Sequence, residues 1–186
     1  MNTTQYLKEI IAELSHSVDL IDKQEAEELV NKISDSKKVF VGGAGRSGFM
    51  AKSFAMRMMH MGIDAYTINE TVTPSFEKDD ILIIATGSGE TKSLVTLAEK
   101  AKDIGGKIAV VTLSPESTVG KLADFIIKLP GAPKDQKTGT DYKTIQPMGS
   151  LFEQTSLLFY DAVILRFMDK KGLDTNKMYG RHANLE

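Results

Sequence analysis

Five short runs of apolar, largely β-branched residues punctuate the middle of the chain, at residues 38–41, 65–68, 81–85, 108–111 and 125–127. Runs this short and this continuously apolar are strands buried on both faces. Between them lie stretches with helical spacing, notably 47–61 and 91–104, which sets a β-α-β-α rhythm. Strands covered by helices on both faces form a parallel sheet. The 3–35 segment reads as two helices, because Tyr6, Ile10, Ile11 and Leu14 recur at helical spacing and 25–33 repeats the pattern after Asp19-Leu20-Ile21-Asp22. Near the other end, 150–169 reads as a long helix that is apolar on nearly every side, so part of its surface is expected to pack on another subunit. The 130–148 segment, with three of the five prolines, reads as an irregular loop, and the chain ends in a polar tail from Lys177. The expected fold is a three-layer α/β/α sandwich around a five-stranded parallel sheet, with an N-terminal helical hairpin (1–36) leading a sheet core with C-terminal helices (37–186) in one domain spanning 1–186.

A length of 186 residues suits one hydrophobic core. Lys and Arg (23) nearly balance Asp and Glu (25), and a net charge of −2 offers no broad field for nucleic acid or anionic lipid, so any anion must be held locally. The chain has no Cys, and its three histidines, at 16, 60 and 182, show no His-x-x-x-His spacing, so no metal site is expected. Neither a secretory leader nor an apolar run of membrane-spanning length is visible, and the expected location is the cytoplasm.

Two loops carry the chemical signal. Gly42-Gly43-Ala44-Gly45-Arg46-Ser47-Gly48 follows a strand and opens a helix, where backbone N–H groups and the helix dipole hold anions. Gly43, Gly45 and Gly48 satisfy G-x-G-x-x-G, and Glu70 ends the next strand where a ribose-binding acid would stand, so a dinucleotide site is a rival reading. A second loop, Thr86-Gly87-Ser88-Gly89-Glu90-Thr91, repeats the strand-loop-helix context and adds hydroxyl donors that suit a monophosphate. Capping of the helix that follows them is the lesser alternative for Ser88 and Thr91. Neither loop carries Gly-Lys-Ser/Thr, which argues against a P-loop.

This pair of loops resembles the sugar isomerase (SIS) domain, and the chain is more narrowly similar to the 6-phospho-3-hexuloisomerases. The resemblance rests on Ala44-Gly45-Arg46-Ser47-Gly48, Phe54-Ala55-Met56-Arg57-Met58-Met59-His60, Glu70-Thr71-Val72-Thr73-Pro74, Gly87-Ser88-Gly89-Glu90-Thr91, Pro147-Met148-Gly149-Ser150-Leu151-Phe152-Glu153 and Arg181-His182-Ala183-Asn184-Leu185. It implies a cofactor-free and metal-free interconversion of 3-hexulose 6-phosphate and fructose 6-phosphate through a cis-enediolate, in the ribulose monophosphate route of formaldehyde assimilation or detoxification. It further implies a homodimer or homotetramer with sites shared between subunits. Glu153 would be the base and His182 the second catalytic group. Substrate or phosphate contacts would come from Gly45, Arg46, Ser47, His60, Gly87, Ser88, Gly89, Glu90 and Thr91. By spacing alone, Ser150 to Glu153 is also a capping box, and His182 is also an exposed terminal residue. His60 either points into the cleft or packs, and Arg46 and Arg57 either neutralise phosphate or pair with surface carboxylates. The rivals are another aldose–ketose phosphosugar isomerase, a non-catalytic phosphosugar-binding module and a dinucleotide-dependent reductase.

Overall fold

The computed structural model describes residues 1–132 and 143–185. Along the chain run α1 (Thr3–Val18), α2 (Lys23–Asp35), β1 (Val39–Gly43), α3 (Gly45–His60), β2 (Ala65–Thr67) and β3 (Ile81–Thr86). They are followed by α4 (Lys92–Ile104), β4 (Lys107–Thr112), α5 (Thr118–Leu122), β5 (Phe125–Lys128), α6 (Ser150–Lys171) and α7 (Thr175–Tyr179). All four strand pairings are parallel and the order is β2-β1-β3-β4-β5. The five expected strands and the five expected helices are all present, displaced at their ends by a few residues. Residues 133 to 142 of the segment read as an irregular loop lie outside the described residues.

Strand pleating decides which side chain meets which layer. Val39 and Val41 of β1, Ile81, Ile83 and Ala85 of β3, and Ala109 and Val111 of β4 pack with α2, α3 and α6. The alternate residues Phe40, Leu82, Ile84, Ile108 and Val110 pack with α4 and α5 on the opposite face. Every residue of β3 is buried, which is why its sequence reads as an unbroken apolar run. Helix α6 seals the first layer through Phe152, Phe159, Tyr160, Val163, Ile164 and Phe167. Tyr160 stacks on Phe54 of α3, with ring centroids 4.5 Å apart. The outward residues Leu158 and Leu165 of α6 stay exposed, as do Tyr6, Leu7 and Ile11 of α1.

Two short helices were not anticipated. α5 and α7 have five residues each, too few to show a period, and each depends on a local cap: Ser117 Oγ accepts from the Gly120 N–H, and Asp174 accepts from the Lys177 N–H. Helix α7 therefore gives structure to part of what reads as a polar tail. Helix α6 runs two residues further than expected and stops at Gly172 in the left-handed conformation.

Gly43 and Gly48 of the first loop share one purpose, since a Cβ on Gly48 would lie 2.7 Å from the Gly43 carbonyl oxygen and one on Gly43 would lie 2.8 Å from the Gly48 Cα. These glycines bring the first turn of α3 against the end of β1. Gly48→Ala is expected to lower the unfolding free energy by about 1–3 kcal/mol, because the opposing atoms are backbone and cannot rotate away. A urea titration checks this, and an unchanged midpoint would contradict it.

Candidate active site

The strand order reverses between β1 and β3, and in such sheets the crevice opens beyond the carboxyl ends of the strands at that point. A cleft of about 640 Å³ lies there. Gly45 and Ser47 form one wall, Gly87, Ser88 and Thr91 a second, and Gly149, Phe152 and Glu153 a third. Three helices, α3, α4 and α6, thus begin at the rim.

These three helices differ from the others at their first turns. In α1, α2, α5 and α7 a side chain caps the N-terminus, from Asn2, Asp22, Ser117 and Asp174 respectively. In α3, α4 and α6 the N-cap positions are Ala44, Thr91 and Gly149, and none makes a side-chain capping bond. The capping role open to Thr91 is therefore not taken up. Uncapped helix N-termini retain free N–H donors and the positive end of the dipole, which favours an anion.

Glu153 is only 5% exposed and is the acidic group of the cleft wall. Its Oε2 accepts from Arg46 Nη1 at 3.1 Å, and the same nitrogen donates to Ser150 Oγ at 2.9 Å. A buried carboxylate without a partner is costly, and Arg46 supplies the compensating charge. The capping-box alternative is not what the side chains do. Ser150 is the first residue of α6 rather than its cap, its N–H bonds the Pro147 carbonyl, and the Glu153 carboxylate turns to Arg46. Just before the helix, Met148 takes φ 57°, a left-handed conformation uncommon outside glycine, and Gly149 follows at the rim.

The remaining candidates divide. Glu90 faces away from the cleft: its carboxylate accepts from the Thr118 N–H and the Thr118 hydroxyl, both at 2.8 Å, and these bonds hold its pKa below the ordinary glutamate value. Glu90 thus ties the second loop to the start of α5. Gly89 belongs to the same brace. Its N–H donates to Thr86 Oγ1, and with φ 66° its Cα lies so close to Ser117 that any Cβ would strike that hydroxyl. Glu70, the acid of the dinucleotide reading, pairs with Lys52 at 2.6 Å on the protein surface.

His60 and His182 come together, away from the cleft. Their rings stack with centroids 5.3 Å apart at the last turn of α3, and Arg57 Nη1 lies 3.5 Å from His60 Nδ1. Burial, then the charge of Arg57 and the neighbouring His182, lower the His60 pKa, so its neutral form is favoured. His182 is exposed, with its Nδ1 2.9 Å from the Ala183 carbonyl, and Arg181 lies over Gly62. From Arg46 to His60 is fourteen residues of one helix, about 21 Å at 1.5 Å per residue. Within one chain the carboxylate and the imidazoles therefore sit at opposite ends of α3.

Sequence reasoning overlooked Leu113 and Ser114, which line the cleft from the loop after β4. That loop is locked to the second one, since Thr112 Oγ1 donates to the Gly87 carbonyl and the Leu113 N–H does the same. Thr112-Leu113-Ser114-Pro115 carries a hydroxyl and a proline at a third strand end, a signal visible once glycine is not required.

A family model described as SIS domain matches residues 32–158. The chain is 58% identical, over the full length of both, to a Bacillus subtilis protein named 3-hexulose-6-phosphate isomerase. It is 41% identical to a Methanocaldococcus jannaschii protein of the same name, over 88% of this chain and 85% of that one. A crystal structure from Methanococcus jannaschii, described as inferring a molecular function of 3-hexulose-6-phosphate isomerase, superposes with a TM-score of 0.83 at 35% identity. That match covers 98% of this chain and 99% of the other. With two loops on one cleft, three uncapped helix ends and a family model covering most of its length, the chain belongs to the SIS domain family.

Proposed function

We propose that this chain interconverts 3-hexulose 6-phosphate and fructose 6-phosphate, with the phosphate held by the two glycine-serine loops and Glu153 acting as the base. The observation that carries this is the buried Glu153 carboxylate on the wall of a cleft whose other walls are the uncapped starts of α3 and α4. The phosphate rests against those N-termini, where the hydroxyls of Ser47, Ser88 and Thr91 supplement backbone donors. The sugar carbons then reach toward Glu153.

Glu153 takes the proton from C2, the C–H electrons form the C2–C3 double bond, and negative charge develops on O3. Arg46, already bonded to the carboxylate, provides positive charge beside the resulting cis-enediolate. A proton passes from O2 to O3, the C2 carbonyl forms, and Glu153 returns its proton to C3 on the same face. Because C6 carries the phosphate, the 3-ketose cannot close a five-membered ring through that oxygen and enters open.

Movement of the hydroxyl proton suits an imidazole. In this reading the role falls to His182, stacked on His60, from a neighbouring subunit, which is supported by the length of α3 between the two groups in one chain. The exposed Leu158 and Leu165 of α6 and the apolar residues of α1 supply surface for the homo-oligomer, a dimer or tetramer, that such sharing requires. In this reading residues 1–186 are one SIS domain, with the hairpin of 1–36 preceding the sheet core, and the reaction serves cytoplasmic formaldehyde assimilation or detoxification by the ribulose monophosphate route. Among the described residues, no helix is long and apolar enough to cross a membrane.

The direct test supplies 3-hexulose 6-phosphate to the purified protein without nicotinamide or added metal and follows fructose 6-phosphate. Formation of that ketose at an enzymatic rate is expected. No formation, with turnover of a pentose or heptose phosphate instead, would favour the other aldose–ketose reading.

A further inference from the structure

We propose that Glu13, on the N-terminal helix, is a positioning residue for the isomerisation, setting the location of Glu153 through the strap at residues 144–146. This inference rests on Glu153 being the base. The geometry behind it is a three-pronged clasp. One oxygen of the Glu13 carboxylate accepts from the Ile145 N–H at 2.7 Å, and the other accepts from Thr144 Oγ1 at 2.6 Å and Gln146 Nε2 at 2.9 Å. Thr144 Oγ1 in turn accepts from the Gln146 N–H at 3.0 Å, closing the strap on itself. Gln146 is 3% exposed, so the bonds from Thr144 and Gln146 are partly shielded from competing water, whereas that from Ile145 lies at the surface.

Burial alone would raise the Glu13 pKa, but the bonds from Thr144, Gln146 and Ile145 hold it below the ordinary glutamate value, in keeping with a carboxylate engaged in its charged form. Below the clasp, α1 is steadied by the Ser17 hydroxyl, which donates to the Glu13 carbonyl at 2.9 Å. Beyond the strap, Pro147 accepts from the Ser150 N–H, Met148 adopts its left-handed turn, and the Glu153 N–H bonds the Gly149 carbonyl. Seven residues therefore run from the clasp to the base through a turn with little slack. The loop after β1 meets this run through Arg46, which bonds Ser150 and Glu153, and the clasp itself touches neither phosphate loop. A loosened clasp should displace Glu153 from the substrate carbons while leaving the phosphate grip intact, and displacements near 1 Å cost up to about 10²-fold in rate.

The experiment measures kcat and KM for Glu13→Ala and Glu13→Gln beside a control, Glu27→Ala. The control removes the bonds of Arg166 to α2, another hairpin-to-α6 tie, without touching the strap. The expected result is a fall in kcat of about 10- to 100-fold for Glu13→Ala, a smaller fall for Glu13→Gln, KM within about twofold of wild type, and no comparable change in Glu27→Ala. If Glu13→Ala does not fold, the same split in Glu13→Gln decides the matter. A kcat within twofold of wild type in the folded variant, or an equal loss in Glu27→Ala, would overturn the inference. Its failure is separable from failure of the base assignment, because Glu153→Gln reports on the base with the clasp intact.

Discussion

Glu153→Gln is expected to lower turnover about 10²–10⁴-fold while leaving the protein folded and able to bind fructose 6-phosphate. Glutamine has nearly the same shape, and its amide oxygen can still accept from Arg46, whose guanidinium is half exposed and keeps solvent on its other side. What is lost is the anionic oxygen that, in the proposed mechanism, accepts a carbon-bound proton. The proposed phosphate contacts lie on the loops after β1 and β3, and the amide keeps its bond to Arg46 of the first loop, so binding affinity should stay within a few fold. Calorimetric titration with fructose 6-phosphate and a thermal melt together check retention of binding and fold, and a coupled assay checks the rate. Turnover within tenfold of wild type would remove Glu153 from the role of base. Binding lost together with rate would instead assign it to holding the sugar.

The architecture was legible because parallel strands write their surroundings into sequence. Ile81 to Ala85 is apolar at every position because each residue faces a layer of helices, and periodicity separates such runs from the helices between them. The cleft was half legible. Gly45, Ser47, Gly87, Ser88 and Thr91 lie on it because strand-loop-helix context locates the carboxyl edge of the sheet, whereas the direction in which a side chain leaves that edge is a tertiary matter. Glu90 follows Ser88 by two residues in sequence and turns to Thr118, twenty-eight residues on. Glu153 had two readings with identical spacing, and only the approach of Arg46 from another helix distinguishes them. Glu13 carried no signal at all, being an unremarkable acid on an amphipathic helix until the strap at 144–146 folds against it.

The separation of Glu153 from the imidazoles leads to the second large expected effect. Glu153→Gln and His182→Ala are each expected to be nearly inactive alone, and co-expression of the two should restore activity. If a site takes its carboxylate from one chain and its imidazole from another, random mixing leaves about a quarter of the sites with both groups intact, so activity should return toward about a quarter of wild type. If both groups act within one chain, no chain in the mixture carries the pair and nothing is regained. The geometry favours the first outcome. His182 stacks on His60 at the end of a helix whose start holds Arg46 against Glu153, and the rigid length of that helix, about 21 Å, is far beyond hydrogen-bond reach. His182 is exposed, so its loss removes little packing and the variant should fold and assemble. Recovery that appears only when the subunits are allowed to exchange would establish the shared site. Activity absent from the mixture although mixed oligomers are detected by mass would place the proton-carrying group elsewhere in the same chain.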